Sequence, residues 1–120
     1  MNEVLEKIKE RHSLVKIFKE QEETLAFNSK NITMTYRVFS DAIVVDHHAS
    51  LRGKVNAELL NELNVDLVFG KHVVDQSGVY HFLADFPIQK MQEEESVRAL
   101  VDYSESAAIS AVEKLKEAVI

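Results

Sequence analysis

The chain has 120 residues, with 20 acidic and 14 basic side chains and a net charge of −6. That charge argues against a phosphate backbone as the main partner, because such binding is driven by clustered Lys and Arg. Cys is absent, which excludes disulfides and thiolate metal sites, and 46% apolar with 28% charged residues is the composition of a globular protein. One Pro and three Gly leave little room for long disordered linkers, so residues 1–120 are expected to form a single domain. The opening segment MNEVLEKIKERHSLVKIF is charged throughout and lacks the apolar core of a signal peptide. No stretch approaches the roughly 18 apolar residues of a membrane helix, and the expected location is cytoplasmic.

Residues 3–20 read as a first helix. Val4, Ile8, Val15 and Phe18 fall near one face, flanked by Leu5 and Leu14. Glu3 and Glu6 stand early and Lys16 and Lys19 late, as the helix dipole favours. Residues 24–29 form a short candidate strand with Leu25 and Phe27 on one side. From Ile32 to Phe39 the pattern alternates, with Ile32, Met34, Tyr36 and Val38 on one face and Thr33, Thr35 and Arg37 on the other. This is the pattern of a half-buried strand. Ser40-Asp41 reads as a two-residue turn into AIVVDHH, which places Ile43, Val45 and His47 on one face.

After the connection Leu51–Lys54, VNAELLNEL reads as a helix with Val55, Leu59, Leu60 and Leu63 on one side. Its expected end is near Asn64, a residue that tolerates the left-handed conformation of a C-cap. The segment Val65–Pro87, VDLVFGKHVVDQSGVYHFLADFP, reads as a hairpin of two strands of about nine residues joined by Asp75-Gln76-Ser77-Gly78. Val65, Leu67, Phe69 and Val73 would share one face of its first strand, and Tyr80, Phe82 and Phe86 one face of its second. Pro87 ends the second strand because it has no N–H to give the ladder.

A last helix is expected over about residues 90–119. Glu93, Glu94 and Glu95 lie at its start, and Lys114 and Lys116 near its end. Its buried stripe runs Val97, Leu100, Val101, Ser104, Ala108, Ala111, Val112, Leu115 and Val119, with small residues (Ser104, Ala107, Ala108, Ala111) in the middle that permit a close approach. The order α-β-β-β-α-β-β-α predicts an α+β fold, an antiparallel sheet of about five strands with helices packed on one face.

Residues 59–88, LLNELNVDLVFGKHVVDQSGVYHFLADFPI, followed by the terminal helix, resemble the YbjN family and, more distantly, the type III secretion chaperones. The matching features are a helix ending in Leu63-Asn64, a strand with Gly70 near its centre, a turn with Asp75 and Gly78, and a second strand ending in Phe86-Pro87. The resemblance implies an α+β sandwich, a tendency to dimerise, and binding of protein segments rather than catalysis. YbjN-like proteins are placed near stress response or regulation. The motif contains no catalytic residue, and no effector-binding signature of the secretion chaperones is present.

The five histidines are His12, His47, His48, His72 and His81. His47 and His48 are neighbours on a strand, so they point to opposite faces and cannot both reach one ion. If Val74 pairs with Val79, as a two- or four-residue loop requires, His72 stands opposite His81 with Cβ atoms about 5 Å apart. That pair is the metal candidate of the sequence, with Asp46 or His48 as a third ligand. The bland alternative is a solvated pair on the polar face. Asp66, Asp75 and Asp85 lie at turns and strand ends, where aspartates bond local backbone. Glu93–Glu95 offers an acidic contact for a partner, but favourable charge in a first helical turn is the commoner explanation, and the aromatics Phe69, Tyr80, Phe82 and Phe86 are expected mostly in the core. There is no phosphate loop, nucleophile elbow or paired-carboxylate motif.

These features point to a non-enzymatic protein-binding module, chaperone-like or regulatory, without a cofactor. It is expected to be a homodimer or to hold a protein segment, with no nucleic-acid or membrane partner. The alternative is a small metal-dependent protein or enzyme built on His72 and His81.

Overall fold

The structure is a computed structural model that describes residues 3–12, 17–21 (backbone), 23–39 and 41–118. Its elements in chain order are α1 (Glu3–Glu10), β1 (Ile17–Gln21), β2 (Thr24–Ser29), β3 (Ile32–Phe39), β4 (Ala42–Ser50), α2 (Ala57–Val65), β5 (Lys71–Val74), β6 (Val79–Pro87), a short 3₁₀ turn (Ile88–Met91) and α3 (Glu94–Glu117). The strands form one antiparallel sheet in the order β1-β2-β3-β4-β6-β5. The α+β class, the antiparallel pairing and the order of the predicted elements are those read from the sequence.

The sheet gains its sixth strand where the sequence predicts the second half of the first helix. α1 ends at Glu10, and Ile17–Gln21 pair with β2, with a register shift between Ile17 and Lys19. Pairing along β2 outweighs the helical spacing, since tertiary contact routinely overrides local propensity. Leu14, Val15 and Lys16 lie outside the described residues, as do the side chains of Phe18 and Lys19. β2 and β3 are joined by Lys30 and Asn31, both at positive φ (53° and 65°), the backbone of a two-residue type I′ hairpin.

α1 and α3 pack on one face of the sheet and against each other. That face carries Leu25, Phe27, Ile32, Met34, Tyr36, Ile43, Val45, Tyr80 and Phe82, all buried. Val4, Leu5 and Ile8 of α1 cover it from one side. From α3 come Val97, Leu100, Val101, Ser104, Ala108, Ala111, Val112 and Leu115, the predicted stripe except for Val119, which lies outside the described residues. Arg11 ties the end of α1 to Asp102 of α3 at 2.7 Å.

The Val65–Pro87 segment departs from the expected long hairpin. Its second strand is β6 as predicted, but its first shrinks to the four residues of β5. Val65 closes α2, and residues 66–70 form a loop. The Tyr103 hydroxyl accepts the N–H groups of Val68 (3.0 Å) and Phe69 (3.1 Å) and donates to the Phe69 carbonyl (3.0 Å). Those backbone groups are thereby withdrawn from any ladder. Gly70 then turns the chain at φ +78°, where an added Cβ would stand 2.7 Å from the Phe82 ring and 2.8 Å from the Leu83 carbonyl. Asn64 is not a left-handed cap. Its amide nitrogen donates to the His72 carbonyl (2.9 Å) and its oxygen accepts from the His72 N–H (2.6 Å), so a side chain completes the outer edge of β5. The start of α2 is capped by Asn56, which accepts from Glu58 and Leu59 N–H groups.

Ala108 and Ala111 lie under α3 at 0% and 1% exposure. Ala108→Leu is therefore expected to overpack the helix–sheet contact and to destabilise the fold by about 1–3 kcal/mol. An unchanged melting temperature would show that this face has room.

Candidate functional site

The turn between β5 and β6 decides which histidines meet. The Gly78 N–H donates to the Asp75 carbonyl (3.0 Å) and the Asp75 N–H to the Val79 carbonyl (2.9 Å), with Gly78 at φ +80°. This is a three-residue loop, a type I turn followed by a left-handed glycine. Asp75 Oδ1 holds it by accepting from Ser77 and Val79 N–H groups at 2.9 and 3.1 Å. The resulting register pairs His72 with Phe82 and Val73 with His81. The expected His72–His81 pair does not form, because an odd loop moves one strand by one residue and sends the two rings to opposite faces.

His72 is in the core, 5% exposed, with its Nδ1 2.6 Å from the Tyr80 hydroxyl. Burial lowers its pKa to about 4 and raises that of Tyr80. His47 is fully buried on the same face. Its Nδ1 accepts the Thr35 N–H at 3.1 Å, so its Nε2 carries the proton and donates to Ser104 Oγ at 3.1 Å. Burial first, and the charges of His48 and His12 after it, lower the His47 pKa to about 3. Ser104 in turn donates to the Val101 carbonyl. Beside it, the Tyr36 hydroxyl donates to Glu105, whose Oε2 lies 3.0 Å from His12 Nε2. Ser104 and His47 are both at 0% exposure, so this Ser–His contact has no access for a substrate. It satisfies polar groups beneath α3. The sequence reading of Ser104 as a small packing residue missed this role; a polar residue in an otherwise Val/Leu/Ala stripe was the available signal.

The opposite face of the sheet is the one that α1 and α3 leave open. There Asp46 and His48, two residues apart on β4, point the same way, and β6 places His81 directly across from His48. His81 Nδ1 lies 2.8 Å from Asp46 Oδ1 and its Nε2 3.0 Å from Asp75 Oδ2. His48 Nδ1 lies 3.8 Å from Asp46 Oδ1 and has no hydrogen-bond partner among the described residues. For His81, partial burial pulls the pKa down, but the hydrogen bonds and charges of Asp46 and Asp75 outweigh it and the net shift is upward. The bond from His81, helped by the Val79 and Ser77 N–H groups, holds Asp75 below its ordinary value. Asp46 and His48, the third ligands considered with the histidine pair, thus stand beside His81 alone.

A second feature is an apolar cleft of about 660 Å³ between the 66–70 loop, the end of β6 and the start of α3. Phe69, Phe86, Met91, Leu100 and Tyr103 line it, with Lys90 at its rim. The Phe69 ring meets Phe86 and Tyr103 edge to face at 5.5 and 6.1 Å, yet Phe69 is 56% and Val68 75% exposed. Of the four aromatics expected in the core, Tyr80 and Phe82 are buried there, Phe86 is half-buried, and Phe69 stands at the surface.

The buried state of His72 has a pH signature. The unfolded chain binds a proton at its ordinary pKa of about 6.5, whereas the folded chain resists it down to about 4. Below pH ~6.5 the unfolded state therefore holds more protons, and the stabilisation by neutral His72 is lost as pH falls towards 4, at up to about 1.4 kcal/mol per pH unit. An NMR titration should find the His72 ring still neutral at about pH 5.5; a midpoint near 6.5 would contradict its placement.

No protein-family model matches the sequence, and no curated protein matches it significantly. Among solved structures, the chain is similar to YbjN from E. coli, described as a candidate transcription regulator. The TM-score is 0.66 at 13% identity, over 90% of this chain and 87% of that one. At that identity the likeness concerns the arrangement of the backbone, and the chain has a YbjN-like fold.

Proposed function

We propose that this chain is a non-enzymatic regulatory module that acts by holding a protein segment in the apolar cleft beside Phe69. The exposure of Val68 and Phe69 next to that cleft carries the reading. A phenylalanine left half in water forgoes about half of the roughly 1.5–3 kcal/mol of full burial, and a contiguous apolar surface of this kind marks an interaction site. Tyr103 and Gly70 fix the loop, so the surface is preformed and little ordering is needed on binding. The net charge of −6 favours a protein partner over a nucleic acid. Likeness to the E. coli protein, described as a candidate transcription regulator, supports a regulatory role, here through protein contact.

The expectation of a homodimer is tested on the same surface. Phe69 makes its ring contacts at the edge of the fold, so Phe69→Asp should leave the melting temperature nearly unchanged while weakening binding at least tenfold. Light scattering at micromolar concentration, on the wild-type chain and the variant, identifies the occupant. A doubled mass that Phe69→Asp returns to one chain makes the occupant a second copy. A single-chain mass for both makes it a different protein, to be captured by crosslinking from a position beside Phe69. A dimer or a captured partner that is indifferent to Phe69→Asp overturns the assignment of the cleft.

A further inference from the structure

The polar cluster on the open face of the sheet lies apart from the cleft and takes no part in the binding proposed there. We propose that Asp46, His48 and His81 form a binding site for one divalent transition ion of the zinc class, with Asp75 orienting His81 from behind. Two imidazole nitrogens and one carboxylate oxygen are the donor set that suits such ions.

Three observations carry the proposal. The first is spacing. One ligand atom from each of the three residues lies within 4.8 Å of the other two. Atoms bound at ~2.0–2.1 Å to a tetrahedral ion stand about 3.3 Å apart. The His81–Asp46 and His48–Asp46 distances, 2.8 and 3.8 Å, lie on either side of that value. The second is the state of His48. Its Nδ1 is shielded from solvent without a hydrogen-bond partner among the described residues, although buried polar nitrogens are normally satisfied. The third is the outer contact. His81 faces the cluster with Nδ1, while its Nε2 is 3.0 Å from Asp75 Oδ2. A ligating histidine almost always gives its other ring N–H to a carboxylate, carbonyl or water, which fixes the ring and its tautomer.

All four residues are held by rigid parts. Asp46 and His48 sit in the β4–β6 ladder at the centre of the sheet, His81 is paired with His48 across it, and Asp75 is fixed by its own turn. Three protein ligands leave a fourth position open on the solvent side, for water or a donor group from elsewhere.

The test uses untagged protein and zinc alone. Isothermal titration should give one equivalent, with binding lost in His81→Ala and in Asp46→Asn. Both substitutions are on the uncovered face, and circular dichroism verifies that the fold is kept. Asp75→Asn retains an Oδ1 for the turn but replaces the oxygen that accepts from His81, and should weaken zinc binding about 10–100-fold. Asp85→Asn, exposed elsewhere on β6, should have no effect. Nitrogen NMR should show zinc on Nδ1 of His48 and His81, with the proton kept on His81 Nε2. The absence of stoichiometric binding at micromolar zinc, binding that survives His81→Ala, or coordination through Nε2 would overturn the proposal.

Discussion

The three-residue turn at Gln76–Gly78 sets the parity of the hairpin, and with it which histidine enters the core and which stays outside. Side chains on a strand alternate between faces, so a shift of one residue exchanges every inward side chain for an outward one. With the turn closed by the Gly78–Asp75 bond and Gly78 at φ +80°, His72, Tyr80 and Phe82 enter the core together. His81, between Tyr80 and Phe82 on β6, faces the other way, and the β4–β6 pairing brings Asp46 and His48 to it. An even loop would have put His72 beside His81 on the polar face, as the sequence suggests, and would have turned Lys71 and Val73 inward in its place. The core's need for aromatic volume and the turn's need for a left-handed glycine agree on the register, which keeps His72 apart from the polar cluster around His81.

The sheet thus has two unlike faces. Beneath α1 and α3 the packing is dense, and the polar groups named there are directed to one another. His47 accepts from a backbone N–H of β3 and donates to Ser104, while Tyr36 reaches Glu105 of α3. Such bonds give α3 a unique position along the sheet, which a stripe of alanines alone would leave loosely defined. They also keep His47 neutral, since its charge would be buried without compensation. On the other face the half-buried residues Thr33, Val44, Asp46, His48 and Leu83 meet solvent, and titratable groups can gather there at little cost.

The loop between α2 and β5 shows how one side chain reshapes a neighbouring element. Tyr103 binds three backbone groups of Val68 and Phe69, which shortens the strand, lifts Phe69 to the surface and opens the cleft against Phe86. Asn64 then occupies the edge of β5 with both ends of its amide. An edge so covered is a poor template for another strand. The binding surface favoured here is accordingly the apolar cleft and not the β5 edge of the sheet.

The sequence by itself determined what depends on local periodicity. The alternation of β3 and β4, the stripe of α3 from Val97 to Leu115, the extent of β6 up to Pro87 and the opposite facing of His47 and His48 all follow from spacing within one element. So does the α+β order that the comparison with YbjN repeats. Tertiary structure decided what depends on partners far along the chain. Ile17–Gln21 became a strand because β2 offered an edge to pair with. Residues 66–70 became a loop because Tyr103, 34 residues away from Phe69, took their hydrogen bonds. Asp46, His48 and His81 were each legible as possible ligands, but their meeting required the pairing of β4 with β6, which joins residues 35 apart in the chain, and the turn's backbone conformation settled that His72 faces the other way.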